Sequence, residues 1–179
     1  MMRVRIRVML RRLAADRRGM SGVEFAIIST VLSVAMLNTL DIARYLYQRM
    51  EVQNATQMGA QAAFSTCDTS HLPATTSCTG LTAAVTAGIQ STSLGTAITL
   101  KSGSPSEGYY CLNASNALEY VSSVATKPAN CASVGNATLQ PIDYVKVETS
   151  YTFKAMFPGA SMGSVLPTTI TSTAMMRMQ

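Results

Sequence analysis

The chain has 179 residues, enough for one long helix and one modest domain but not for two full domains. Only 13% of residues are charged and 6% aromatic, a lean composition for an enzyme core, while 47% hydrophobic residues exclude a disordered chain. The net charge of +5 is concentrated at one end: Arg3, Arg5, Arg7, Arg11, Arg12, Arg17 and Arg18 precede Gly19 against the single acid Asp16, and the remainder is close to neutral. A nucleic-acid binder carries its positive charge on the folded surface, where it displaces counterions from phosphates. The basic excess here argues for membrane orientation and against a DNA or RNA partner.

Residues 1–19 form a basic leader. From Val23 to Leu40 the sequence is predominantly apolar, with Ser29, Thr30, Ser33, Asn38 and Thr39 as its neutral polar residues. Such a stretch is about long enough to span a bilayer core as a helix. Arginines before it, and little positive charge after it beyond Arg44 and Arg49, set the N-terminus in the cytoplasm. The run Met36 to Ile42 offers no small-x-small cleavage site, which disfavours a simple secretory signal.

Between Asp41 and Phe64 there is no proline and one glycine, Gly59, while Ile42, Leu46 and Met50 recur at four-residue spacing. The pattern predicts one helix from Met20 to Phe64, roughly 65 Å long at 1.5 Å per residue. Its first part, to about residue 40, belongs in lipid, and its second part packs on an outer domain.

The texture changes after Ser65 to a Thr/Ser/Pro loop with Cys67, His71, Pro73 and Cys78. Leu81, Ala84, Val85, Gly88 and Ile89 share a helical face, with Thr79 as N-cap and Gly95 beyond the end. Thr96 to Leu100 and Tyr109 to Leu112 read as short strands, and Leu118, Val121 and Val124 suit a short helix. From Asp143 to Ala155 alternate residues, Val145, Val147, Thr149, Tyr151 and Phe153, mark a half-buried strand. A second alternating run places Ile170, Ser172, Ala174, Met176 and Met178 on one face. The predicted fold is α+β: a long transmembrane helix extends into an extracytoplasmic domain, residues 65–179, whose small antiparallel sheet packs on it.

Cys67, Cys78, Cys111 and Cys131 all follow the apolar segment, and an even number of cysteines outside the cytoplasm favours disulfides. Three connectivities are open; the two local ones, Cys67 with Cys78 and Cys111 with Cys131, are preferred. A metal site is disfavoured, because no pair has C-x-x-C spacing and the only histidine, His71, lies in the Ser/Thr/Pro loop. No cofactor is expected.

The junction Arg17-Arg18-Gly19-Met20-Ser21-Gly22-Val23-Glu24-Phe25 places a glycine at the membrane edge and a carboxylate five residues later, inside an apolar helix. An acid within a membrane segment is costly and is usually functional or paired. A favourable position near the helix N-terminus, or at the headgroup level, would also account for Glu24. Neither accounts for the glycine after a basic run at this spacing. A cut after Gly19 accounts for both: Met20 becomes an ammonium-bearing N-terminus that Glu24 neutralises in its own or a neighbouring subunit. Leaving either charge unpaired in a dry setting costs of order 3–5 kcal/mol.

This junction resembles the class III leader of type IV prepilins, which a membrane aspartyl peptidase cuts after glycine, with Glu at the fifth mature position. The stretch Arg17 to Phe64, including Gly22-Val23-Glu24-Phe25-Ala26, Asp41-Ile42-Ala43-Arg44-Tyr45-Leu46-Tyr47, Gln53-Asn54-Ala55 and Gly59-Ala60, is similar to the TadE-like pseudopilins of the tight-adherence (Flp) pilus system. The ending Ala174-Met175-Met176-Arg177 is also similar to that family's. The close resemblance covers roughly a third of the chain and leaves the cysteine-bearing middle without a counterpart.

The resemblance implies that Gly19 and Met20 flank the peptidase bond and that Glu24 and Phe25 serve recognition and assembly. It implies a minor pilin or pseudopilin of the bacterial inner membrane that supports adhesion and biofilm formation. Its implied partners are a prepilin peptidase, other pilins and pseudopilins, the inner-membrane assembly platform and membrane lipid. The shortest Flp major pilins are little more than the helix, so the outer domain argues against the bulk filament subunit. Gly22, Ala26, Ser29 and Ser33 form a small-residue stripe of the kind that lets membrane helices approach closely, although small residues are common in such helices generally. The alternative reading is an uncleaved single-span protein whose outer domain binds a ligand or another envelope protein.

Catalysis finds little support. Gly159-Ala160-Ser161-Met162-Gly163 matches G-x-S-x-G by letter, but Pro158 and Pro167 bracket it and no Asp, Glu or His follows Ser161. It reads as a hairpin loop in a protein that is not an enzyme. The sequons at Asn54, Asn113 and Asn136 would ordinarily stay unmodified in a bacterial chain.

Overall fold

The computed structural model describes residues 20–67, 69–159, 163 and 165–178. The leader and Gly19, together with Ala160, Ser161 and Met162 of the G-x-S-x-G match, lie outside the described residues. The chain divides into two compact units, residues 1–43 with 155–165 and residues 44–154 with 166–179.

Helix α1, Met20–Thr66, is continuous as expected and ends two residues beyond Phe64. Within the larger unit it buries Gln48, Val52, Ala55, Thr56, Gly59, Ala60 and Ala63, and Cys67 just beyond its end is buried too. Their spacing of three and four residues draws one stripe along the helix. Ile42, Leu46 and Met50, whose four-residue spacing supported the helix, lie off this stripe and are 41%, 50% and 60% exposed. Large side chains lost the packed face to small ones because the neighbouring backbone comes very close. A Cβ on Gly88 would lie 2.8 Å from Ala62 Cβ and 3.0 Å from the Met58 carbonyl oxygen.

After α1 come a short helix α2, Ala74–Ser77, and helix α3, Leu81–Gln90, which buries Leu81, Val85 and Ile89 as its periodicity predicted. The expected Thr79 N-cap is not formed. The cap is Gly80 at φ 87° with no side-chain hydrogen bond, a left-handed conformation that glycine adopts without steric cost. Thr96 and Ala97 also leave the predicted strand, because Gly95–Ala97 make a 3₁₀ turn.

The strands are β1 (Ile98–Leu100), β2 (Ser106–Leu112), β3 (Leu118–Ser123), β4 (Ile142–Thr152) and β5 (Thr169–Arg177). All pairings are antiparallel, and β4 is central. Along one edge β4 pairs with β5 from Tyr144↔Arg177 to Thr152↔Thr169. Its other edge takes β2 at Ile142–Lys146 and β1 at Thr149–Tyr151. Between them, the Lys101 N–H donates to the Glu148 carbonyl at 2.9 Å and the Glu148 N–H donates to Ser104 Oγ at 2.8 Å.

The short helix expected at Leu118, Val121 and Val124 is instead β3 with a turn after it. Asn113 decides this: its Oδ1 accepts the N–H groups of Ser115 at 2.9 Å and Ala117 at 3.0 Å, while Asn116 sits at φ 58°. That turn returns the chain onto the free edge of β2, where the Tyr110 and Tyr120 rings meet edge to face at 5.5 Å. Turn chemistry and a waiting strand edge outweigh a three-residue apolar spacing.

One face of β4, carrying Asp143, Val145, Val147 and Thr149, is buried. Val145, Val147 and Met178 share a core with Ala60, Ala63, Cys67, Ala74, Leu81 and Val85. Tyr45 of α1 also meets Phe153 edge to face, with ring centroids 5.2 Å apart. Disulfides join Cys67 to Cys78 and Cys111 to Cys131. The first ties the end of α1 to the residue after α2, and the second ties β2 to the loop before β4.

Candidate functional site

The first half of α1 has the surface of a helix made for an apolar environment. Val23, Phe25, Ile27, Ile28, Val31, Leu32, Val34 and Met36 are all between 47% and 73% exposed. At 100° per residue they cover about 220° of the helix, well over half of it, and soluble monomers rarely leave so much contiguous apolar surface open. Among the described residues, α1 is the one helix long and apolar enough to cross a membrane.

Its neutral polar side chains are suited to the same environment. The hydroxyl of Ser29 donates to the Ala26 carbonyl at 3.0 Å, that of Thr30 to the same carbonyl at 2.7 Å, and that of Ser33 to Ser29 at 2.7 Å. The Asn38 amide donates to Val34 at 2.7 Å and the Thr39 hydroxyl to Ala35 at 2.9 Å. All five neutral polar residues from Val23 to Leu40 thus bond back to their own helix. In lipid, where no water completes a hydrogen bond, that internal pairing lowers the cost of carrying them.

Met20 opens the helix and is 61% exposed, and Glu24 follows one turn later with Phe25 beside it at 73% exposure. Residues four apart on a helix are neighbours, so Met20 and Glu24 lie on one flank of α1. At 100° per residue, Gly22, Ala26, Ser29 and Ser33 fall within an arc of roughly 60°, and Glu24 lies nearly opposite. A Cβ added at Gly22 would meet nothing within 4 Å, so that flank is open. The Ser29 and Ser33 hydroxyls face carbonyls of the helix itself, which leaves a surface of small, internally satisfied groups.

Asp41 ends the apolar run. It is fully buried, and its Oδ1 accepts the Met156 N–H at 2.9 Å. Glycine residues, apolar side chains and helical spacing were legible in the sequence, but nothing there linked Asp41 to a loop more than a hundred residues away.

A second acidic group was also missed. Asp143 is 3% exposed, and burial, followed by the Glu107 carboxylate and a hydrogen bond to it, pushes its carboxyl up to about 7. The Lys127 ammonium acts in the opposite direction. Glu107 is held by the backbone N–H of Ala74 at 2.8 Å and by the N–H and hydroxyl of Thr75, each at 2.7 Å. Tyr109 lies beside the pair, its phenol pushed up by burial and by both carboxylates. The parity of Asp143 with Val145 and Val147 was the available sign that it faces inward. Among the described residues no group of three or more His, Cys, Asp or Glu side chains is arranged to hold a metal.

Residues 19–61 match the family model described as TadE-like protein, which covers the apolar helix, Glu24, Phe25 and Asp41. The match supports a Tad pilus-associated protein. No curated protein and no solved structure matches the chain.

Proposed function

We propose that this chain is a pseudopilin or minor pilin of a tight-adherence pilus. α1 holds it in the inner membrane, with the N-terminus cytoplasmic and the sheet-bearing domain outside. A prepilin peptidase removes the leader after Gly19, freeing an amine on Met20. Glu24 then neutralises that amine, in its own subunit or an adjacent one, as α1 packs against other pilins and the assembly platform. In this way the subunit supports surface adhesion and biofilm formation.

The observation that carries the reading is the apolar, uncovered start of α1 with a carboxylate one turn from Met20, inside the segment that matches the TadE-like family. An exposed helix of this kind needs lipid before assembly and other helices after it. Ile42, Leu46, Tyr47 and Met50 remain 41–60% exposed beyond the span, so apolar contact surface continues past the membrane. The size of the outer domain fits a subunit of low copy number better than the bulk of a filament.

The test substitutes Glu24. Glu24→Val should insert normally, because a carboxylate is not needed for insertion, yet lose piliation and adhesion. Glu24→Asp should retain part of both. Wild-type piliation in Glu24→Val cells would remove the assembly role from the carboxylate.

A further inference from the structure

We infer that the loop entering at Ala155 is a second membrane contact, resting on the lipid–water interface beside the end of the span through Met156, Phe157 and Val165. This inference rests on the reading of α1 as a membrane span.

The placement follows from Asp41. Eighteen residues from Val23 to Leu40 rise about 27 Å as a helix, close to the thickness of a bilayer's hydrocarbon core of about 30 Å. Asp41 therefore stands at the outer boundary of that core. Its carboxylate accepts the Met156 N–H at 2.9 Å, which fixes this part of the loop at the same depth. Residues 20–43 and 155–165 belong to one compact unit, so the attachment lies inside a single body.

The loop's chemistry suits that depth. From Ala155 to Leu166 the sequence carries no Asp, Glu, Lys, Arg or His. Met156 is 58% exposed and Val165 76% exposed, the two most open large apolar side chains described after α1. Phe157 is half-buried, and Pro158 and Gly159 follow it exposed. Lys154, exposed immediately before the loop, is placed to meet anionic headgroups. The loop's Met156 N–H also supplies the buried Asp41 carboxylate with a hydrogen bond at the lipid boundary. Both surfaces, helix end and loop, are thus continuous with the membrane-facing surface of α1, and the occupant is lipid.

The chain contains no tryptophan, so single tryptophans report cleanly. Met156→Trp, Val165→Trp and Val31→Trp variants of the full chain would be reconstituted into phosphatidylethanolamine–phosphatidylglycerol vesicles. The lipids would carry bromine near the headgroup or near the chain ends. Trp emission from positions 156 and 165 should be blue-shifted and quenched more by shallow than by deep bromine, whereas position 31 should be quenched more by deep bromine. Adding Asp41→Ala should release the loop and reduce quenching at position 156. If position 31 is quenched but 156 and 165 respond only to aqueous iodide, the loop contact is wrong while the span stands. If position 31 is not quenched, the span itself fails and the contact with it. Blue-shifted emission at 156 and 165 without bromine quenching would mean that protein covers them, which also overturns the lipid assignment.

Discussion

Thr56 and Thr149, 93 positions apart in sequence, bring their hydroxyl oxygens to 2.6 Å with both side chains fully buried. Thr56 donates its only hydroxyl proton to the Val52 carbonyl at 2.6 Å, so Thr149 is the donor in the cross-link between helix and sheet. The two residues are therefore not equivalent. Thr149→Val removes a donor and leaves Thr56 bonded to its own helix, a loss of about 1 kcal/mol. Thr56→Val strands the Thr149 hydroxyl in a dry core and should cost more, about 1–3 kcal/mol. Urea midpoints of the detergent-solubilised chain test this order, and a larger loss for Thr149→Val would contradict it.

Gly88 allows α3 to lie against α1. Its substituted Cβ would lie 2.8 Å from Ala62 Cβ, 3.0 Å from the Met58 carbonyl oxygen and 3.2 Å from Gly59 Cα. These are a Cβ and backbone atoms, which cannot rotate away. Overpacking of about 1–3 kcal/mol should exceed the helix gain of about 1 kcal/mol from Gly88→Ala. A lowered thermal midpoint is expected; an unchanged or raised one would show that the helices separate at little cost.

Stability should depend on pH through Asp143. Its carboxyl is raised from 3.8 to about 7 by burial and by Glu107, so the folded chain holds a proton that the unfolded chain has already released. Stability from this group is complete below about pH 3.8 and is lost as pH rises towards 7. Asp143→Asn keeps the shape and removes the titration, and should flatten the thermal midpoint between those pH values. A wild-type midpoint that climbs over this window while Asp143→Asn stays flat would reverse the sign assigned here.

The two disulfides close loops of 11 and 20 residues in sequence separation. Reduction should lower stability by about 2–4 kcal/mol per bond, with both contributing. Peptide mapping without reductant should recover Cys67 with Cys78 and Cys111 with Cys131; a crossed pair would be incompatible with the strand arrangement.

Much of this architecture was legible because it follows from local pattern. The proline-free stretch after Asp41 carried α1 past the apolar segment, and alternation from Val145 to Tyr151 and from Ile170 to Met178 marked the strands that pair. Errors arose where local patterns compete. The spacing of Leu118 and Val121 looked helical until Asn113 folded the turn before it. The spacing of Ile42, Leu46 and Met50 marked the helix but not its packed face, where the small residues Ala55, Thr56, Gly59 and Ala60 allow the closer approach. Long-range polar links, Asp41 with Met156 and Glu107 with Asp143, had no local pattern to reveal them. The roles proposed for Glu24, Phe25 and the small-residue stripe rest on chemistry and spacing over a few adjacent turns of one helix.

The most direct measurement of the central claim is the N-terminus of the chain recovered from membranes and from sheared pili, by intact mass and N-terminal sequencing. The account predicts a chain that begins at Met20, with the seven leader arginines removed. A chain that still carries Arg17, Arg18 and Gly19 in piliated cells would contradict processing and with it the role assigned to Glu24.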